Sequence, residues 1–165
     1  MPLLAWLYET NISHWIRESV WGHPILLCLH ALGMAAVVGV VLVLSIRVAF
    51  GWPRSIAPAS YGGLLQGARW GFLANLASGV LLYMSNAPSL TLNWTFQAKI
   101  ALIVAGGISI LVVWRMVTAS PPAADGTAQA VTIQARTAAV LTIIFWLAAI
   151  LAGRYIAYTL KYVSV

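Results

Sequence analysis

The stretch from residue 25 to residue 45 contains no Asp, Glu, Lys or Arg. Leu, Val, Ile and Ala fill it almost continuously, and His30 and a few glycines are its main interruptions. An α-helix needs about 20 apolar residues to cross the hydrocarbon core of a bilayer. The run therefore predicts a transmembrane helix over residues 24–46, with Pro24 in its first turn and Arg47 just after its end.

The composition also places the chain in lipid. Of the 165 residues, 62% are hydrophobic and 7% are charged, whereas about a quarter of the residues of a soluble domain are charged. The nine basic and three acidic residues are scattered at the edges of apolar runs. Without a basic patch, nucleic-acid binding is not predicted. We therefore predict that the lipid bilayer covers most of the protein surface.

Further apolar segments predict three more spans, at residues 65–84, 97–117 and 136–160. Linkers rich in Pro, Gly and Ser separate these segments. Residues 2–21 combine several tryptophans with a few charged residues, a pattern typical of short helices that lie in the headgroup region. The predicted fold is therefore all-α: one transmembrane domain over residues 1–165, built as a four-helix bundle with short interfacial N-terminal helices.

Small residues within three of these spans predict close helix packing, either within the chain or against other membrane subunits or a second copy. They are Gly33, Ala36 and Gly39 in the first span, Ala74, Ser78 and Gly79 in the second, and Gly106 and Gly107 in the third.

The basic residues favour one orientation. On the side of the two longer linkers lie Arg47, Arg54, Arg69, Arg115 and Arg136, and on the opposite side lie Arg17, Lys99, Arg154 and Lys161. The side with more Lys and Arg is usually cytoplasmic. The charge distribution thus predicts that both termini lie on the periplasmic or extracellular side.

One polar layer is predicted inside the membrane, where polar side chains are costly and tend to be functional. His30 lies roughly 10 Å into the first span, at a rise of 1.5 Å per residue. In an antiparallel bundle, Lys99 of the third span and Arg154 of the fourth reach the same depth. His23 precedes His30 by two helical turns on nearly the same face, and Tyr155 follows Arg154.

Several uses of this layer are consistent with the sequence. A neutral imidazole can ligate haem iron, and Lys99 and Arg154 could pair with haem propionates. The same layer could bind a quinone, or His30 could hold a metal ion, although His23 is too far away to share that ion. A second internal histidine at this depth is missing, so a haem would need a weak second ligand or one from a partner chain. Alternatively, His30 only hydrogen-bonds a neighbouring helix, while Lys99 and Arg154 extend to the headgroups or pair with Glu18.

A self-contained enzyme is not predicted. The three acidic residues all lie outside the spans, and the chain has no phosphate-binding Gly-rich loop, no Cys-x-x-Cys and no paired carboxylates.

The chain resembles a family of small bacterial four-helix membrane proteins of uncharacterised function. In the first helix the similarity rests on His30-Ala-Leu-Gly33, on Gly39 and on Ser45-Ile-Arg47. In the later helices it rests on Phe96 with Lys99, on Ala105-Gly106 and on Gly153-Arg-Tyr-Ile-Ala-Tyr158. The resemblance implies that His30, Lys99 and Arg154 are the recurring polar positions of the family.

Two departures from the family pattern are visible. Trp114 stands where many members have a second histidine, and Ser45 stands where an acidic residue is usual. The leading hypothesis is a non-enzymatic membrane subunit of a larger redox or bioenergetic complex that holds haem b through His30. The alternatives are a cofactor-free structural accessory subunit and a protein that handles a quinone or a metal on its own.

Overall fold

The computed structural model describes residues 2–52, 62–119 and 131–160. Within these ranges every regular element is helical, as the sequence predicts. The elements are α1 (Pro2–Tyr8), α2 (Asn11–Glu18), α3 (Gly22–Phe50), α4 (Gly62–Met84), α5 (Ala87–Leu92), α6 (Trp94–Ala119) and α7 (Ile133–Thr159).

Three of the described helices, α3, α6 and α7, are long and apolar enough to cross a membrane. They contain 29, 26 and 27 residues and are therefore each about 40 Å long, against about 30 Å for a hydrocarbon core. The predicted all-helical structure is confirmed for the described ranges, and three of the four predicted spans coincide with helices long and apolar enough to cross a membrane. The fourth predicted span corresponds to α4, which is less apolar because Gln66, Arg69 and Asn75 interrupt it.

The four long helices form two antiparallel pairs joined through α3 and α7. α3 packs along α4, α6 packs along α7, and α3 also packs against α7. α4 and α6 do not pack along each other. Many large apolar side chains point outward, among them Leu32 and Leu151 with about 70% of their surface exposed. That distribution is expected where lipid, and not water, covers the surface.

Apolar side chains fill the junction between the pairs. One cluster joins the C-terminal end of α3 to α6 and α7, and consists of Val48, Ala49, Val113, Val117, Ala135 and Ala139. A second lies near the middle of α3, where Trp146 of α7 packs on Val37, Val38 and Val41. Trp146 also fills the space over Gly106 of α6, where a Cβ atom would lie 2.9 Å from its Nε1.

The closest helix approach is between α3 and α4. A Cβ atom on Gly33 would lie 2.7 Å from the Gly71 carbonyl oxygen and 2.8 Å from the Asn75 nitrogen. A Cβ atom on Gly71 would lie 2.7 Å from the Ala36 Cβ. Only glycine permits backbones this close. Gly33 therefore packs as predicted, whereas Gly39 and Gly107 have no such neighbours within 4 Å of a Cβ position.

The short helices α1, α2 and α5 cover the end of α4. The hydroxyl of Ser13 donates a hydrogen bond to the Met84 carbonyl at 3.0 Å, which satisfies a terminal helix acceptor. Arg17 donates to Ser13 Oγ and to the Tyr8 carbonyl, both at 2.8 Å. Its guanidinium lies 3.7 Å from the centre of the Tyr8 ring. Arg17 thus links α1 and α2 to the α4 terminus.

We expect Arg17→Met to detach α1 and α2 from the end of α4. Hydrogen bonds to a charged group contribute about 1.5–3 kcal/mol each, so the apparent melting temperature in detergent should fall by several degrees. Hydrogen exchange should increase selectively over residues 2–18. Arg136→Met is the matched control, since Arg136 is exposed and has no bonded partner in the described ranges. Equal exchange in both variants would contradict the role assigned to Arg17.

Candidate functional site

His30 of α3 is held by one turn of α4. Its Nδ1 atom lies 3.0 Å from the backbone oxygen of Asn75 and 3.2 Å from Ser78 Oγ. The Asn75 carbonyl can only accept a hydrogen bond. Ser78 already donates its proton to the Ala74 carbonyl at 2.6 Å, so its oxygen also accepts from His30. Nδ1 is therefore the protonated nitrogen, and in a neutral imidazole Nε2 carries the free lone pair.

The backbone of His30 is fixed by the same turn. The side-chain amide of Asn75 donates to the His30 carbonyl at 2.7 Å. Asn75 consequently contacts His30 twice, through its own carbonyl oxygen and through its side-chain nitrogen. These two hydrogen bonds restrict both the position of His30 and the rotation of its ring.

Nε2 of His30 remains available. Among the described residues, none forms a hydrogen bond with this nitrogen. Gly79 of α4 lies beside the ring edge, where a Cβ atom would be 3.0 Å from Cε1. A larger residue at position 79 would press on the imidazole next to the free nitrogen. The ring is half-buried, so a ligand could approach it from one side.

Lys99 of α6 is a cation whose charge acts on His30. Its aliphatic chain lies along Gly153 of α7, where a Cβ atom would be 3.3 Å from Cε. Within the described ranges its ammonium group has neither a hydrogen bond nor an ion pair. A partly buried cation of this kind can pair with an anionic group of a ligand.

An aromatic contact closes the space between α4 and α6 at one end. The rings of Tyr83 and Phe96 stack with their centres 5.5 Å apart. Gly79 lies one turn before Tyr83, and Lys99 lies three residues after Phe96. His30 and Lys99 are therefore directly below this stack, at the level where α4 and α6 separate. We call the gap below the Tyr83–Phe96 stack the α4–α6 opening.

Asn93 fixes the start of α6 at this level. Its side-chain oxygen accepts from the backbone nitrogens of Thr95 and Phe96 at 2.9 and 3.2 Å. Its amide nitrogen donates to the Thr159 hydroxyl of α7 at 2.9 Å. The side chain is almost fully buried. Lys99, six residues further along the chain, is therefore held in position relative to α7.

The other predicted site residues lie away from His30. His23 is exposed in the first turn of α3. Arg154 and Tyr155 are exposed on α7, and Tyr155 packs beside Tyr158 with ring centres 6.2 Å apart. Within the described ranges, no hydrogen bond or ion pair joins Arg154 to His30 or Lys99. The structure thus brings together two members of the predicted layer, His30 and Lys99.

Glu18 contacts His14, and not Lys99 or Arg154, the partners considered for it from the sequence. It lies 3.3 Å from His14 Nδ1, and Glu9 lies 3.2 Å from His14 Nε2. The three residues form an exposed cluster on α2 and the turn that precedes it. Glu18 is therefore engaged at the surface and does not pair with Lys99 or Arg154.

The partners of His30 carry only a partial signal in the sequence. Asn75 and Ser78 are polar residues in an apolar segment and are recognisable as candidates on that ground. Gly79 has the pattern of a packing glycine, and its place beside the imidazole is visible only in the structure. The backbone oxygen of Asn75, which orients the ring, has no sequence signature.

A metal site made of protein side chains alone finds no support in the part of the chain that is described. No group of three or more His, Cys, Asp or Glu residues there could hold a metal ion. His30 provides one nitrogen ligand.

The chain has no counterpart among the known proteins with which it was compared: no family model, no curated protein and no solved structure matches it.

Proposed function

We propose that this protein is a four-span integral membrane subunit of a larger redox complex and that it binds haem b through Nε2 of His30. The observation that supports this proposal is the hydrogen bond from Nδ1 of His30 to the Asn75 carbonyl. Histidines that ligate a metal almost always donate their other ring nitrogen to a carbonyl, a carboxylate or water. The bond sets the tautomer and directs the lone pair of Nε2 away from α4.

Two features near His30 support this proposal. Lys99 supplies a cation for a propionate, and the α4–α6 opening gives access from the side of the helix pairs. A bound haem would supply one-electron transfer at an iron ligated by imidazole. The protein contributes the orientation of the ring, the cation and an apolar surrounding.

A second strong ligand to the haem would have to come from a partner chain. The chain contains three histidines, and the other two are His14, engaged with two carboxylates, and His23, near the helix end. A second strong ligand would therefore come from another subunit.

The fourth span belongs to the same proposal. α4 has 23 residues, which at 1.5 Å per residue gives about 34 Å, enough to cross a bilayer. Its polar residues Asn75 and Ser78 are used by His30, which offsets the cost of placing them in lipid. With four crossings both termini lie on one side, which the distribution of Lys and Arg favours as the periplasmic side of a bacterial inner membrane. Membership of the small bacterial four-helix family is part of this proposal.

The test is the absorption spectrum of the purified protein expressed with an ample haem supply. We expect a Soret band, a reduced-minus-oxidised difference spectrum of the b type and about one haem per chain. Protein that is colourless as purified and does not take up added haemin would overturn the haem assignment. That result would favour the cofactor-free accessory subunit, which should then purify with its partners.

A further inference from the structure

A second site is present on the opposite side of the α6–α7 pair, at the end where α6 begins and α7 terminates. It is a groove of about 400 Å³. Its apolar lining residues, which we call the floor, are Ala98, Leu151 and Ala152. Its aromatic and cationic lining residues, which we call the rim, are Trp94, Arg154, Tyr155 and Tyr158. We call the whole the Arg154 groove. Apolar residues beside aromatic and cationic ones match the profile of a membrane boundary.

Arg154 gives the groove a positive charge that nothing in the described chain neutralises. The side chain is exposed and has no hydrogen bond, ion pair or ring contact within the described ranges. It lies about one and a half turns before the end of α7. A guanidinium at this depth is suited to a phosphate group, which it can bind through two parallel hydrogen bonds.

Thr95 provides an independent indication of a ligand. This residue also lines the groove, and it is 2% exposed. Its hydroxyl is buried without a hydrogen-bond partner, whereas buried hydroxyls in native structures are nearly always bonded. A residue that lines the groove therefore carries an unbonded hydroxyl, which a ligand oxygen could satisfy if the side chain rotates toward the groove.

We propose that the Arg154 groove binds an anionic phospholipid. The lipid phosphate contacts Arg154 and the hydroxyls of Tyr155 and Tyr158, and one acyl chain lies on the apolar floor. Basic pockets between transmembrane helices are known to accept anionic headgroups. Trp94 at the rim suits the boundary between headgroup and acyl chain. The site is separate from His30, so this proposal does not depend on haem binding.

Native mass spectrometry of the full-length protein in detergent tests this proposal. Phosphatidylglycerol and phosphatidylcholine of identical acyl chains are titrated separately, and lipid adducts are counted. We expect phosphatidylglycerol to bind about fivefold more tightly, the increment that one favourable basic residue provides near a membrane surface. Arg154→Gln should remove this preference, and Ala98→Phe, which fills the floor, should weaken the binding of both lipids.

Arg136→Gln is the matched control, because Arg136 is an exposed arginine near the other end of the same helix. It should retain the preference. Equal affinities for the two lipids in the unaltered protein, or an unchanged preference in Arg154→Gln, would overturn the proposal. Inorganic phosphate is titrated as a competitor. Displacement of the lipid by phosphate at a similar concentration would show a simple anion site and would also overturn it.

Discussion

The His30→Ala protein is expected to lose the Soret band completely, whereas His23→Ala keeps it. Both histidines lie on α3, two turns apart on nearly the same face. Of the two, only His30 has its Nδ1 fixed by α4, which leaves its Nε2 as the nitrogen for a ligand. The measurement is the haem content per chain, determined from the pyridine haemochrome spectrum, with the melting temperature recorded to confirm folding.

Two further variants separate ligation from a structural effect. His30→Gly leaves a space that free imidazole can enter, so added imidazole should restore part of the band. Gly79→Val retains His30 but presses on Cε1 of its ring, so haem content should fall sharply. Gly67→Val is the control on the same helix, because a Cβ atom there has no such neighbour within 4 Å. Unchanged haem in His30→Ala would exclude His30 as the ligand.

The helices of this protein could be predicted from the sequence because uncharged apolar runs leave few alternatives. α3, α6 and α7 each coincide with such a run, and lipid-facing helices require no alternation of polar and apolar faces. The boundaries differ from the predicted ones by a few residues. α3 begins at Gly22 and continues through Arg47 to Phe50, because hydrogen bonding of the backbone remains favourable where the helix leaves the hydrocarbon.

The position of a residue along its helix could be read from the sequence, and the charge of Lys99 does act on His30. The direction of a side chain around the helix could not be read in this way. Successive residues are separated by about 100° around the axis. Gly153 faces Lys99, and the next residue, Arg154, consequently points into the groove on the outer side. An error of one residue in the packing register is enough to move a charge from one site to another.

Which helices pack against each other was the least predictable feature of the fold. Small residues mark where helices can approach, but not which partner they approach. Gly33 meets Gly71, and Gly106 meets Trp146, whereas Gly39 has no close neighbour. Which helices pair is determined by how well their entire packing surfaces fit each other. Asn75 illustrates this: its polarity indicates a function, yet its contact with His30 depends on the register of α3 against α4.

Gly33→Val is expected to cause the largest loss of stability among single substitutions in α3. A Cβ atom at this position would be 2.7 Å from the Gly71 oxygen and 2.8 Å from the Asn75 nitrogen. Both are backbone atoms, so neither can rotate away, and α4 must move as a whole. Overpacking of this kind costs about 1–3 kcal/mol or more. The apparent melting temperature in detergent, followed by tryptophan fluorescence, should decrease by several degrees.

Gly39→Val is the control, since it places the same side chain on the same helix where nothing lies within 4 Å of its Cβ. It should leave stability unchanged or slightly higher, because valine is a better helix former than glycine. Where Gly33→Val does not accumulate, Gly33→Ala tests the same contact with a smaller group. Because the displaced atoms include the backbone of Asn75, which orients His30, loss of stability and loss of haem should occur together. A stable Gly33→Val protein would show that α3 and α4 are not in this contact.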